Sequence, residues 1–206
     1  MEKYLIDRVK QVSYTDLDQI IDLIKSQNKD SILSSLSIKL IKEFINISIN
    51  YDDIYVFTCR LNDKILGYSI FVKKPDLLIK RYEKLRLGIF MHVLFNLRFS
   101  LIVNLFLSLT NLDLIKINKE KRNIIKNSVN LNLLAIDGSY QSKGIGSNFL
   151  METTKILKKF CPEMEHIVCE APNERALKFY KDNKFEVIGK KLRFLKKYYI
   201  LSKKII

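Results

Sequence analysis

Between Leu131 and Phe160 the chain reads LNLLAIDGSYQSKGIGSNFLMETTKILKKF. An apolar strand runs into a tight turn with Gln141, Gly144 and Gly146 in a Q-x-x-G-x-G spacing, and an amphipathic helix starts at the glycines. Such a turn can hold a pyrophosphate. Glycine lets the backbone come close to an anion, and the unpaired N–H groups of a helix's first turn, with the helix dipole, supply donors and positive potential. Lys143 adds a full charge. The same physics serves other nucleotide folds, so second features must decide. The chain lacks the third glycine of the dinucleotide fingerprint G-x-G-x-x-G, and it lacks the triphosphate loop G-x-x-x-x-G-K-[ST].

Alternating elements must position this turn. Tyr4 to Val12 reads as an edge strand, Ser13 to Asp16 offer capping residues, and Leu17, Ile20, Ile21 and Ile24 share a helical face. A second helix is expected over 32–49. Strands at 53–61 and 65–72, joined by Asn62-Asp63-Lys64, form a hairpin. After residue 130 the pattern predicts strand 131–137, helix 143–160, strand 166–171, helix 173–183, and closing strands at 185–194 and 197–205. The resulting class is mixed α/β, one domain over 1–206 with a helical insertion at about 76–128.

The insertion's centre is the most apolar part of the chain. Arg98 leaves uncharged runs shorter than the roughly 18 to 20 residues of a membrane span. Gly88, His92, Asn96, Ser100, Asn104 and Ser108 recur every fourth residue as a small or polar stripe. Helices packed on the domain or on a second copy in a homodimer fit that stripe. Peripheral membrane contact through 85–109, aided by Lys80, Arg81, Lys84 and Arg86, stays open.

A second motif follows the strand at 166–171: Ala171-Pro172-Asn173-Glu174-Arg175-Ala176-Leu177-Lys178-Phe179-Tyr180, then Asn183-Lys184-Phe185-Glu186-Val187-Ile188-Gly189. With the glycine turn, this stretch resembles the GNAT (Gcn5-related) N-acetyltransferase superfamily. The matches are Gln141, Gly144 and Gly146, then Asn173, Ala176 and Tyr180. Coverage is good from about Leu131 to Ile206, and the opening order of strand, helix, helix, strand, strand agrees with that of the family. The insertion lies outside the common core.

The resemblance implies a mostly antiparallel sheet of about seven strands, splayed between the fourth and fifth. It implies acetyl-CoA as acyl donor and no metal. Gln141, Ser142, Lys143, Gly144, Ile145, Gly146 and Ser147 would grip the cofactor pyrophosphate, and Asn173, Ala176 and Tyr180 would close its other side. Tyr180 would stand beside the sulfur as general acid for the departing thiolate, and Glu170 would serve as base for the attacking amine. Asp137, His92 and His166 are weaker candidates for that base. A backbone N–H of Leu134, Ala135 or Ile136 would face the tetrahedral oxyanion, while the same strand edge pairs with the pantetheine arm.

The balance of 36 basic against 22 acidic residues, a net charge of +14, favours anionic partners. No basic stripe with stacking aromatics or nucleic-acid module accompanies it, so no nucleic acid is expected. Among acceptors, a small-molecule amine with negative charge, such as a nucleotide-linked amino sugar, suits the chain better than a polyamine. A protein or peptide amine, or a non-catalytic acyl-CoA-binding module associated with a membrane, is the alternative. Cys59, Cys161 and Cys169 have no metal-ligand spacing and read as reduced thiols, consistent with a cytoplasmic location.

Overall fold

The computed structural model describes residues 4–27, 31–73, 81–83, 85, 88, 114–115, 117–193 and 196–205. They fall into two compact units, Met1–His92 with Asn132–Cys161, and Val93–Leu131 with Pro162–Ile206.

In the first unit, strand β1 (Leu5–Arg8) precedes helix α1 (Tyr14–Gln27). Leu17, Ile20, Ile21, Leu23 and Ile24 form the buried stripe of α1, and the Ser13 hydroxyl accepts a bond from the Asp16 N–H at 3.1 Å. The single helix expected over 32–49 is instead two, α2 (Ile32–Ser35) and α3 (Ile38–Asn50). Leu36 is extended at φ −67°, ψ 160°, and the Ser37 side chain accepts from the Leu40 N–H, so the serine starts a new helix rather than continuing the old one.

Strands β2 (Ile54–Leu61) and β3 (Lys64–Val72) form the expected hairpin with a two-residue loop. Asn62, at φ 51°, takes the left-handed conformation that such loops require. β1 pairs antiparallel with β2, and the strand order of the unit is β1-β2-β3 followed by the later strand β5 (Ser128–Ile136). On one face of this sheet, Ile54, Val56, Tyr68, Ile70 and Val72 pack with α1 and α3 in one apolar cluster. The buried stripe of the helix that follows β5, here α5 (Ile145–Phe160), comprises Ile145, Phe149, Leu150, Thr153 and Leu157.

At the start of the insertion the Tyr82 ring stacks on Phe44, 4.8 Å between centroids, and its hydroxyl lies 2.7 Å from that of Ser48. Burial pushes the Tyr82 phenol up to about 12. Arg81 reaches Asp53 at 3.4 Å. Of the small and polar stripe only Gly88 is among the described residues; His92, Asn96, Ser100, Asn104 and Ser108 lie outside them, as do Lys80, Lys84, Arg86 and most of 85–109.

In the second unit the insertion's end is not wholly helical. Leu114–Ile115 (β4) pair antiparallel with β7 (Glu186–Arg193), α4 (Lys119–Lys126) follows, and β5 begins already at Ser128. Ile124 and Ile125 of α4 settle on Ile117, Val168, Ile188 and Ile200, a demand for burial that the surrounding charges concealed in the sequence. Strand β6 (His166–Ala171), α6 (Glu174–Asp182) and β8 (Lys196–Lys204) complete the unit, with order β5-β6-β8-β7-β4. The β6–β8 and β7–β8 ladders are antiparallel. β5 and β6 run parallel, and their ladder stops after four pairs, from Ser128↔His166 to Leu131↔Cys169. No described helix is long and apolar enough to cross a membrane.

Gly67 sets how closely β5 can lie to β3. A Cβ there would stand 2.7 Å from the Ala135 carbonyl oxygen and 2.4 Å from Ile136 Cδ1. Gly67→Ala is therefore expected to cost about 1 to 3 kcal/mol by overpacking. Gly138→Ala, whose added methyl meets only the Gln27 side chain at 3.6 Å, should stay within roughly 0.5 kcal/mol. Urea unfolding of the two variants checks the contrast.

Candidate active site

The strand end leading into the glycine turn is oriented by parity. Along an extended strand, successive backbone N–H groups face opposite edges, and the N–H and C=O of one residue face the same edge. The Asp137 N–H donates to the Leu66 carbonyl at 2.7 Å, and the Ala135 carbonyl is the oxygen that crowds Gly67. Ala135 thus turns its amide toward β3, whereas Leu134 and Ile136 turn theirs to the opposite edge. The four-pair β5–β6 ladder ends before either. By the same parity, the N–H groups of Leu134 and Ile136 leave β5 on the edge away from β3.

The turn itself is built by side chains. The Asp137 carboxylate accepts from the Ser139 N–H at 3.0 Å and caps the 3-10 turn Gly138–Tyr140. It also pairs with the Lys64 ammonium at 2.9 Å. The bond from Lys64 holds the Asp137 carboxyl below its ordinary range, against the upward push of burial, so Asp137 is poorly suited to accept an amine's proton. Gln141 directs its amide nitrogen to the Ile136 carbonyl at 2.6 Å and to Gln27 Oε1 at 2.9 Å. These two bonds make Gln141 a brace for the turn.

Ser142 follows at φ 61°, then Gly144 at φ 78°, both left-handed. Gly144 is the N-cap of α5, and no side chain caps this helix. Serine, threonine, asparagine or aspartate at an N-cap would bond a first-turn N–H itself; glycine leaves that donor for another partner. Gly144 is exposed with Ser142 and Lys143, Gly146 and Ser147 are half-buried, and the Ile145 side chain anchors the helix in the core. Lys143 and Lys64 both lie over the Tyr140 ring, at 5.3 and 4.9 Å from its centroid. The first turn of a 16-residue helix thus opens beside ammonium groups.

In the second unit, Asn173 caps α6, its side chain accepting from the Ala176 N–H at 2.9 Å. The Asn-x-x-Ala spacing is thus a capping geometry, and it starts the helix that carries Tyr180 one turn beyond Ala176. Tyr180 is buried, its ring 5.3 Å from that of Phe185. Burial, reinforced by Cys169 and Glu170, raises its phenol well above the ordinary value, so it keeps its proton at neutral pH. Glu170, at the end of β6, is ion-paired with Lys191 of β7. His166 opens β6 in register with Ser128 and Lys204. His92 lies outside the described residues.

No protein-family profile matches the sequence, and no curated protein does. Solved structures do. An acetyltransferase of the GNAT family from Streptococcus pneumoniae superposes with a TM-score of 0.55 at 16% identity, covering 99% of this chain and 100% of the other. The ribosomal-protein-S18-alanine N-acetyltransferase of Escherichia coli gives 0.58 at 14%, over 98% and 94%. A Bacillus subtilis acetyltransferase in complex with CoA gives 0.54 at 12%, over 99% and 100%.

The chain has the GNAT fold. Within that fold the sequence reading missed Lys64, Gln27 and Lys191, which touch candidate site residues from distant segments. No local pattern marks them, because each acts through a neighbour that only folding supplies. Gly144→Ala is expected to lose about 1 to 2 kcal/mol of stability from backbone strain alone, since its new methyl would meet nothing within 4 Å. Chemical denaturation measures it, and a neutral result would mean that the left-handed cap is not required.

Proposed function

We propose that this protein is an acetyl-CoA-dependent N-acetyltransferase that acetylates a primary amine of a small anionic molecule. The observation that carries the reading is the α5 start. A glycine in left-handed conformation stands at the cap of a long helix, makes no side-chain cap bond, and does so on the GNAT fold. The turn's main-chain amides from Gly144 to Ser147, with Lys143, suit a diphosphate. In the Bacillus subtilis neighbour, CoA is the bound molecule.

Acetyl transfer breaks the thioester C–S bond as the amine's C–N bond forms; nitrogen gives up a proton and sulfur gains one. Tyr180 is assigned to the sulfur. Burial raises its phenol above the ordinary value, so the group is protonated and able to donate when the thiolate departs. As general acid it hands its proton to the sulfur as the C–S bond breaks, and recovers one from solvent. Glu170, steadied by Lys191, is assigned as proton acceptor for the amine, directly or through water. The oxyanion is assigned to the N–H of Leu134 or Ile136. The amine attacks the thioester directly in a ternary complex, with no acetyl-enzyme stage.

The acceptor's class follows from charge. A +14 chain attracts anions and repels polyamines, which favours an amine carried on a phosphate-bearing molecule such as a nucleotide-linked amino sugar. Tyr180→Phe is expected to lower turnover by about 10²-fold while CoA affinity, read by calorimetry, stays near the unaltered value. In a panel of amines scored by CoA release, nucleotide-linked amino sugars should turn over. Activity confined to spermidine and peptide amines would overturn the acceptor assignment.

A further inference from the structure

The turn offered to a diphosphate contains a carboxylate of its own. Asp137 must be there, because it caps the 3-10 turn through the Ser139 N–H and its backbone bonds Leu66. Its negative charge is nevertheless of the wrong sign for an anion site. Lys64, at the start of β3, answers this by pairing with Asp137 at 2.9 Å while lying over Tyr140, the ring that also carries Lys143. Without Lys64, the Asp137 charge would stand unanswered in the turn that also carries Lys143.

We propose that Lys64 is a positioning and specificity residue for the diphosphate: it neutralises Asp137 and so leaves Lys143 and the α5 first turn electrostatically available to an anion. The inference rests on the acetyl-CoA reading of this site. Lys64 is more than half exposed, so the pair itself contributes little to folding stability, and its effect belongs to the field of the turn. Aspartate does two jobs at 137, cap and charge, and asparagine can do the first without the second.

The experiment is titration calorimetry of CoA with the full-length protein and the variants Lys64→Met, Asp137→Asn and the double variant. Lys64→Met should weaken CoA about five-fold at low ionic strength, and the loss should shrink as salt screens the half-buried carboxylate. The double variant should return to within about two-fold of the unaltered protein, because no charge then needs an answer. Thermal melts of all four proteins should nearly coincide. Unchanged affinity in Lys64→Met, or a double variant no better than Lys64→Met, overturns the assignment. Absence of CoA binding by the unaltered protein would instead remove the acetyl-CoA reading itself, and the assignment with it.

Discussion

The end of β5 is held against β3 by the Asp137 N–H to the Leu66 carbonyl, and the approach is close enough that a side chain at residue 67 would overlap Ala135 and Ile136. Everything in the first unit's site descends from that attachment. It sets the parity of Leu134, Ala135 and Ile136. It places Asp137 where Lys64 can reach it, and it aims the chain into the turn that ends at Gly144. The brace from Gln141 to Ile136 and Gln27 then fixes the turn from the other side. An anion site made of main-chain donors gains affinity when such donors are already aligned, since the ordering entropy is spent during folding rather than binding.

The second unit solves a different problem. Tyr180 is buried, its ring against that of Phe185, which follows α6 after a left-handed Lys184. Burial dominates, and the neighbouring Cys169 and Glu170 push the same way. Glu170 carries its own counter-ion in Lys191, held two strands away by the β6–β8–β7 ladders. Charged groups in both units are therefore answered by lysines that lie far off in sequence, which gives some of the chain's many basic residues local tasks apart from solvation.

The helix starts at Gly144 and Asn173 were legible because capping is local. Glycine before an uncapped helix, and asparagine three residues before alanine at a helix start, are patterns of backbone hydrogen bonding within a few residues, and backbone chemistry repeats wherever the spacing repeats. The hairpin at Asn62 and the apolar stripe of α1 were legible for the same reason. The break between α2 and α3 was not, because serine is an acceptable interior residue as well as a cap, and the choice at Ser37 depends on what the two helices pack against. Nor was β4, two residues long and recognisable only by its pairing with β7.

What the sequence determined by itself, then, was the order of the main elements outside the insertion, the glycine turn at 141–146 and the helix bearing Tyr180, since each follows from short-range periodicity and capping. Tertiary structure alone decided that Ala135 faces β3, that Gln141 braces the turn, and that Lys64 answers Asp137. These depend on which strand edges and side chains meet across the chain, a matter of packing and hydrogen-bond direction that no local pattern of residue types encodes.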